Sequence, residues 1–128
     1  MLKHIKPLLE RNSLYFAIIC TVVVVVLSLT SSSNVPSLHF TNADKLQHAI
    51  AYGSLSFFWI QAKHYYKVVV KVYIILLIII AFGIIMEFLQ WSVTANRTAD
   101  VYDAIANTIG CLLGYLFLRI LNSISLRV

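Results

Sequence analysis

Residues 68–89 read VVVKVYIILLIIIAFGIIMEFL, an apolar run interrupted by one lysine and one glutamate. At about 1.5 Å per residue, a helix of that length crosses the roughly 30 Å hydrocarbon layer of a bilayer. A transmembrane barrel strand would alternate apolar and polar positions, whereas this run is continuous. Only a helix satisfies its own backbone groups in lipid, so the stretch predicts a transmembrane helix.

Working outward, three more stretches share this character: 14–30, which holds the run Val22–Val26, then 46–62 and 101–121. The first two lie near the lower length limit for a span. The chain has 128 residues, 60% of them apolar and only 12% charged, where soluble domains carry about 25% charge. Its mean hydropathy is +0.86. A soluble core of this size could not hide so much apolar surface. Four glycines, two prolines and two cysteines exclude collagen-like, disordered and disulfide-framework classes. The expectation is an all-α integral membrane protein, a four-transmembrane-helix bundle forming one domain over 1–128.

Lysine and arginine give the orientation. Lys3, Lys6 and Arg11 precede the first span, Lys63, Lys67 and Lys71 surround the second connection, and Arg119 and Arg127 close the chain. The other two boundaries carry only Lys45 and Arg97. Eight against two places both termini in the cytoplasm, with Lys71 snorkelling back from inside the third span. Trp59, Tyr65 and Tyr66 suit an inner aromatic belt, and Trp91 and Tyr102 an outer one. The net charge of +5 is thus mostly topology, and its dispersed residues argue against nucleic-acid binding. A basic start, an apolar stretch and Thr30–Ser33 also fit a cleavable signal peptide, but the remaining charges favour an uncleaved first span. Cys20 and Cys111 fall within spans and read as packing residues. Thr30–Ala43, with Pro36, reads as an external loop whose Val35, Leu38 and Phe40 can rest on the bilayer.

The acids are unevenly placed. Of five, only Glu10 maps to the cytoplasmic side, while Asp44, Glu87, Asp100 and Asp103 map to outer helix ends. Lys45, His48, Gln90, Arg97 and Asn107 join them there. Asp44, His48 and Tyr52 share one stripe of the second helix. Glu87 and Gln90 stand three apart near the outer end of the third. On the fourth, Asp100, Asp103, Asn107, Gly110 and Gly114 fall within an arc of about 80°. An acid at the centre of a membrane helix costs about 2.5–3.5 kcal/mol, so the stripe is expected to face protein or water. Gly110 and Gly114 have the small-xxx-small spacing of a close helix contact, read here as internal.

Structural roles compete at each position. Capping and the helix dipole account for Asp100, and in part for Asp44 and Asp103. Lys45 can mark the interface, His48 can be a satisfied buried histidine, and Tyr52, Gln90 and Asn107 can serve packing or interhelical bonding. Glu87 fits such a role least, because an acid at a helix C-terminal end opposes the dipole.

Taken together, Asp44-Lys45-x-x-His48-x-x-x-Tyr52, then Glu87-x-x-Gln90, then Arg97-x-x-Asp100-x-x-Asp103-x-x-x-Asn107-x-x-Gly110-x-x-x-Gly114 resembles the VanZ-like family of small bacterial membrane proteins. The resemblance covers about residues 40–118. Members often carry a Pro-Gly turn before the arginine, where this chain has Thr94-Ala95-Asn96; asparagine also tolerates the left-handed conformation. The resemblance implies a multi-pass protein of the bacterial cytoplasmic membrane associated with resistance to glycopeptides, notably teicoplanin.

Two functional classes stand open. In the first, a non-catalytic envelope factor binds a lipid headgroup or cell-wall precursor through Asp44, Lys45, His48, Glu87, Gln90, Arg97, Asp103 and Asn107. Lys45 and Arg97 would grip anionic oxygens, although four carboxylates against these two bases leave a formal −2 with His48 neutral. In the second, a membrane-embedded enzyme uses His48 with Asp103 or Glu87 as an acid–base pair, or places a divalent cation among Asp44, His48, Glu87 and Asp103. No metal, nucleophile or phosphate-loop motif is present. Transport ranks third, since four helices make a narrow path unless the chain oligomerises.

Overall fold

The computed structural model describes the backbone of residues 2–30, 43–93 and 100–125 and the side chains of 7–30, 43–93 and 100–124. These residues form four helices: α1 (Leu2–Leu29), α2 (Ala43–Tyr65), α3 (Val72–Val93) and α4 (Val101–Ser125). Short connections make α2 antiparallel to α3 and α3 antiparallel to α4. The start of α2, the end of α3 and the start of α4 therefore meet at one end of the bundle.

Three helices, over Pro7–Leu29, Val72–Val93 and Val101–Ile124, are long and apolar enough to cross a membrane. The second expected span, within α2, is not among them. Its sequence interleaves Asp44, Lys45, Gln47, His48, Gln61 and Lys63 with apolar residues. The reason it holds together is its position. Helix α2 packs against α1, α3 and, most extensively, α4, whereas α1 and α4 do not touch within the described residues. The least apolar helix is thus the most extensively packed one, with His48 and Gln61 turned toward neighbours.

The α2–α4 contact depends on small residues. A Cβ on Gly110 would lie 2.6 Å from the Ala49 Cα, and one on Gly114 would lie 2.8 Å from the Gly53 carbonyl carbon. With no side chain between them the backbones approach directly. The Ser56 hydroxyl donates across this seam to the Cys111 carbonyl at 2.7 Å. On the other side of α2, the Trp59 indole N–H donates to Thr21 Oγ1 of α1 at 3.1 Å.

Element limits differ from the expected spans in three places. Helix α1 begins at Leu2, well before residue 14, and carries Pro7 inside it. Helix α4 runs on to Ser125. Helix α3 starts at Val72 rather than 68, because α2 ends in a Schellman turn that uses the intervening residues. There the Val68 N–H bonds to the Lys63 carbonyl at 3.0 Å, the Lys67 N–H bonds to the His64 carbonyl at 3.3 Å, and Lys67 adopts φ 52°. Lys71 consequently precedes α3 instead of snorkelling from within it, and its ammonium lies 5.8 Å from the Tyr73 ring centroid. The cysteines are unpaired, with Cys111 buried.

Candidate functional site

Most of the polar candidates converge where α2 starts, α3 ends and α4 starts. Asp100 caps α4: its Oδ1 accepts the Tyr102 N–H at 2.8 Å, and its carbonyl accepts the Asp103 N–H at 3.0 Å. Lys45, in the first turn of α2, reaches across to this cap. Its ammonium donates to Asp100 Oδ2 at 2.9 Å, Asp44 Oδ2 at 3.1 Å and Asp103 Oδ1 at 3.2 Å. The lysine bond holds the Asp44 and Asp100 carboxyls below the ordinary carboxylate range, helped at Asp100 by the Tyr102 N–H. Bonds to Asp100 and Asp44 in turn hold the ammonium above the ordinary lysine value.

One turn deeper lies a second, drier layer. The His48 and Glu87 side chains are 11% and 10% exposed, and Asn107 is 2% exposed. Asn107 Nδ2 donates to Glu87 Oε1 at 3.3 Å, which leaves its Oδ1 as the acceptor facing His48 Nδ1 at 2.9 Å. Glu87 Oε1 also lies 3.4 Å from that nitrogen. Nδ1 therefore carries a proton. The other ring nitrogen, Nε2, faces Asp103 Oδ2 at 3.8 Å.

Gly83, one turn before Glu87, forms the floor. A Cβ there would meet Tyr52 Cε1 at 3.0 Å and Asn107 Nδ2 at 3.4 Å, so these two side chains rest together on the α3 backbone. The Tyr52 hydroxyl is buried and lacks a hydrogen-bond partner among the described residues. Gln90 is also buried, at 3% exposure, three residues beyond Glu87.

The site thus brings together Asp44, Lys45, His48, Glu87, Asp103 and Asn107, with Tyr52 below them. Arg97 lies outside the described residues, as do the Thr94-Ala95-Asn96 turn and most of the Thr30–Ala43 loop. Gly110 and Gly114 continue the Asp103 and Asn107 face downward into the α2 seam. Sequence reasoning missed Gly83 and Ser56. Gly83 had a usable signal, its position four residues before Glu87 on the same helix face; Ser56 had none.

Two groups of side chains have ligand atoms within 4.8 Å of one another, as a cation requires: His48, Glu87 and Asp103, and Asp44, Asp100 and Asp103. The second group already surrounds the Lys45 ammonium. The first contains both nitrogen and oxygen donors and is suited to acid–base chemistry or to a divalent ion.

Helices of membrane-crossing length and apolarity, gathered around a polar interior at one end, define a small helical membrane protein. Its particular kinship comes from sequence comparison: the family model described as VanZ/LLP1 matches residues 12–122, and the chain belongs to that family. No curated protein and no solved structure matches it.

Proposed function

We propose that the chain is a four-span protein of the bacterial cytoplasmic membrane with both termini inside. Its polar cluster opens on the extracytoplasmic side and holds the headgroup of a lipid or cell-wall precursor without catalysing a reaction. Lys63 in the last turn of α2, and Lys67 and Lys71 in the α2–α3 connection, lie at the end opposite the cluster, which supports this orientation. The extensive packing of α2 supports its role as the fourth span.

One observation carries the reading. Lys45 and Leu46 are neighbours in sequence but begin two different surfaces. The Lys45 side chain, 28% exposed, forms the rim of the polar cluster. Leu46 opens an apolar groove between α2 and α4, walled by Ile50, Phe57, Leu113 and Phe117 over Gly53, Gly110 and Gly114. From Leu46 to Phe58 the groove follows about 18 Å of helix, enough for much of an acyl chain. An amphiphile with its headgroup at Lys45 and its chain in the groove satisfies both surfaces.

Native mass spectrometry of the protein released from lipid discs tests this. The wild type is expected to retain one phospholipid or lipid-linked precursor. Ile50→Trp, which fills the groove at an exposed position, is expected to lose it, whereas unchanged retention overturns the reading. By family, an effect on glycopeptide susceptibility is also proposed, checked by the teicoplanin tolerance of cells with and without the chain.

The His48–Asp103 approach favours a second reading, a membrane-embedded acid–base or metal-assisted enzyme acting on an outer-leaflet amphiphile. It predicts that His48→Gln and Asp103→Asn abolish turnover of that amphiphile while the protein still inserts.

A further inference from the structure

The His48 tautomer leads to a metal site. Asn107 presents its oxygen to Nδ1 because its nitrogen is committed to Glu87. In neutral His48 the proton thus resides on Nδ1, and Nε2 offers a lone pair toward Asp103 Oδ2 at 3.8 Å. An Nε2 lone pair and a carboxylate oxygen facing each other in a nearly dry site are bridged either by a second ring proton or by a shared cation, and the 3.8 Å gap is too long for a direct hydrogen bond. Ligands each about 2.0–2.2 Å from a zinc-class ion stand at most about 4.4 Å apart, so 3.8 Å suits a shared ion. Lys45 does not meet this need, because its ammonium bonds the other Asp103 oxygen, Oδ1.

A second, independent feature points to the same place. Tyr52, 2% exposed, has a buried hydroxyl with no hydrogen-bond partner among the described residues. Its ring edge lies beside the Asn107 amide over Gly83. A helical side chain leans toward the N-terminus of its helix, which directs Tyr52 up toward His48. Leaving a buried hydroxyl unbonded is costly; an ion-bound water or anion would accept its proton.

We propose that His48 Nε2, Asp103 and Glu87 bind one first-row divalent cation of the zinc class, with Asn107 fixing the histidine tautomer and Tyr52 facing the remaining coordination position. Three helices each supply one ligand, and an open position is left, as zinc sites that handle an exogenous ligand require. The ion also offsets the negative charge of the cluster, so an anionic headgroup gains a cationic anchor. The site deepens the headgroup reading but does not depend on it.

The test is a titration of the protein in lipid discs with Co²⁺, followed by its visible absorption and by displacement with Zn²⁺. One equivalent is expected to bind with the bands of a low-coordinate nitrogen–oxygen site. His48→Gln and Asp103→Asn are expected to abolish these bands, and Asn107→Ala to weaken affinity by about 10–100-fold, the usual effect of losing an outer-shell partner. Cys20→Ser is expected to leave the spectrum unchanged. Circular dichroism verifies that each variant remains helical. Absence of stoichiometric binding in the wild type, or binding that survives both His48→Gln and Asp103→Asn, overturns the proposal. Cobalt binding without retained lipid would keep this site and remove the headgroup reading.

Discussion

Gly110 of α4 lies directly against Ala49 of α2, so close that a methyl group on the glycine would stand 2.6 Å from the Ala49 Cα. Backbone cannot yield there as a flexible side chain can. Gly110→Ala is therefore expected to destabilise the bundle by about 1–3 kcal/mol, the usual cost of overpacking. Gly83→Ala is expected to cost less, since its nearest neighbours are the Tyr52 and Asn107 side chains. Thermal unfolding in lipid discs compares the two.

Lys45 ties the first turn of α2 to the cap of α4, and its contribution has a defined pH window. Asp44 and Asp100 are held below their ordinary 3.8 and Lys45 above its ordinary 10.5. The carboxylate contributions are complete above 3.8 and fade as pH falls through the lowered folded-state values. The lysine contribution is complete below 10.5 and fades as pH rises through the raised folded-state value. The contribution of this cluster is thus expected to be flat between these limits. Lys45→Met is expected to lower stability across the whole window, and Asp100→Asn to relieve part of that loss. Unfolding measured from acid to alkaline pH checks all three expectations.

Asn107 serves two partners at once, donating to Glu87 and accepting from His48. Asn107→Leu keeps much of the volume but strands both, at an expected cost of about 1–3 kcal/mol for a buried polar group left unsatisfied. Calorimetry of the two forms in the same lipid checks it.

Lys67 holds a left-handed conformation, φ 52°, at the end of α2. Lys67→Gly removes the Cβ clash and is expected to stabilise by about 1 kcal/mol. An unfolding midpoint that falls instead would mean that the ammonium group contributes more than the strain costs.

The four helices and the gathering of charged side chains at one end were legible because each depends on composition and helical period. Residues 68–89 announce a helix by their continuity, and Asp44, His48 and Tyr52 align by their spacing alone. Less legible was anything set by the path of the backbone. The start of α3 moved past Val68 because a Schellman turn, marked by no glycine, ends α2 at Tyr65. The extensive packing of α2 was hidden for a different reason: hydropathy reports what a segment carries, not which neighbours surround it. Lys45 likewise read as an interface marker or a grip for anionic oxygens, and spacing could not show that three acids surround it, two of them more than fifty positions away in sequence. Gly83 was overlooked because its value lies in the Tyr52 and Asn107 side chains that rest on it.

The packing of α2 against all three other helices bears on how the chain is made. Ribosomes release α2 before α3 and α4 exist, so the segment poorest in greasy residues reaches the insertion machinery while two of its three wrappings are still unsynthesised. Its lodging must be provisional until the later pair arrives. In nascent chains truncated after Tyr65, Leu55→Cys should therefore react with a water-soluble maleimide, and in chains extended through α4 it should be protected.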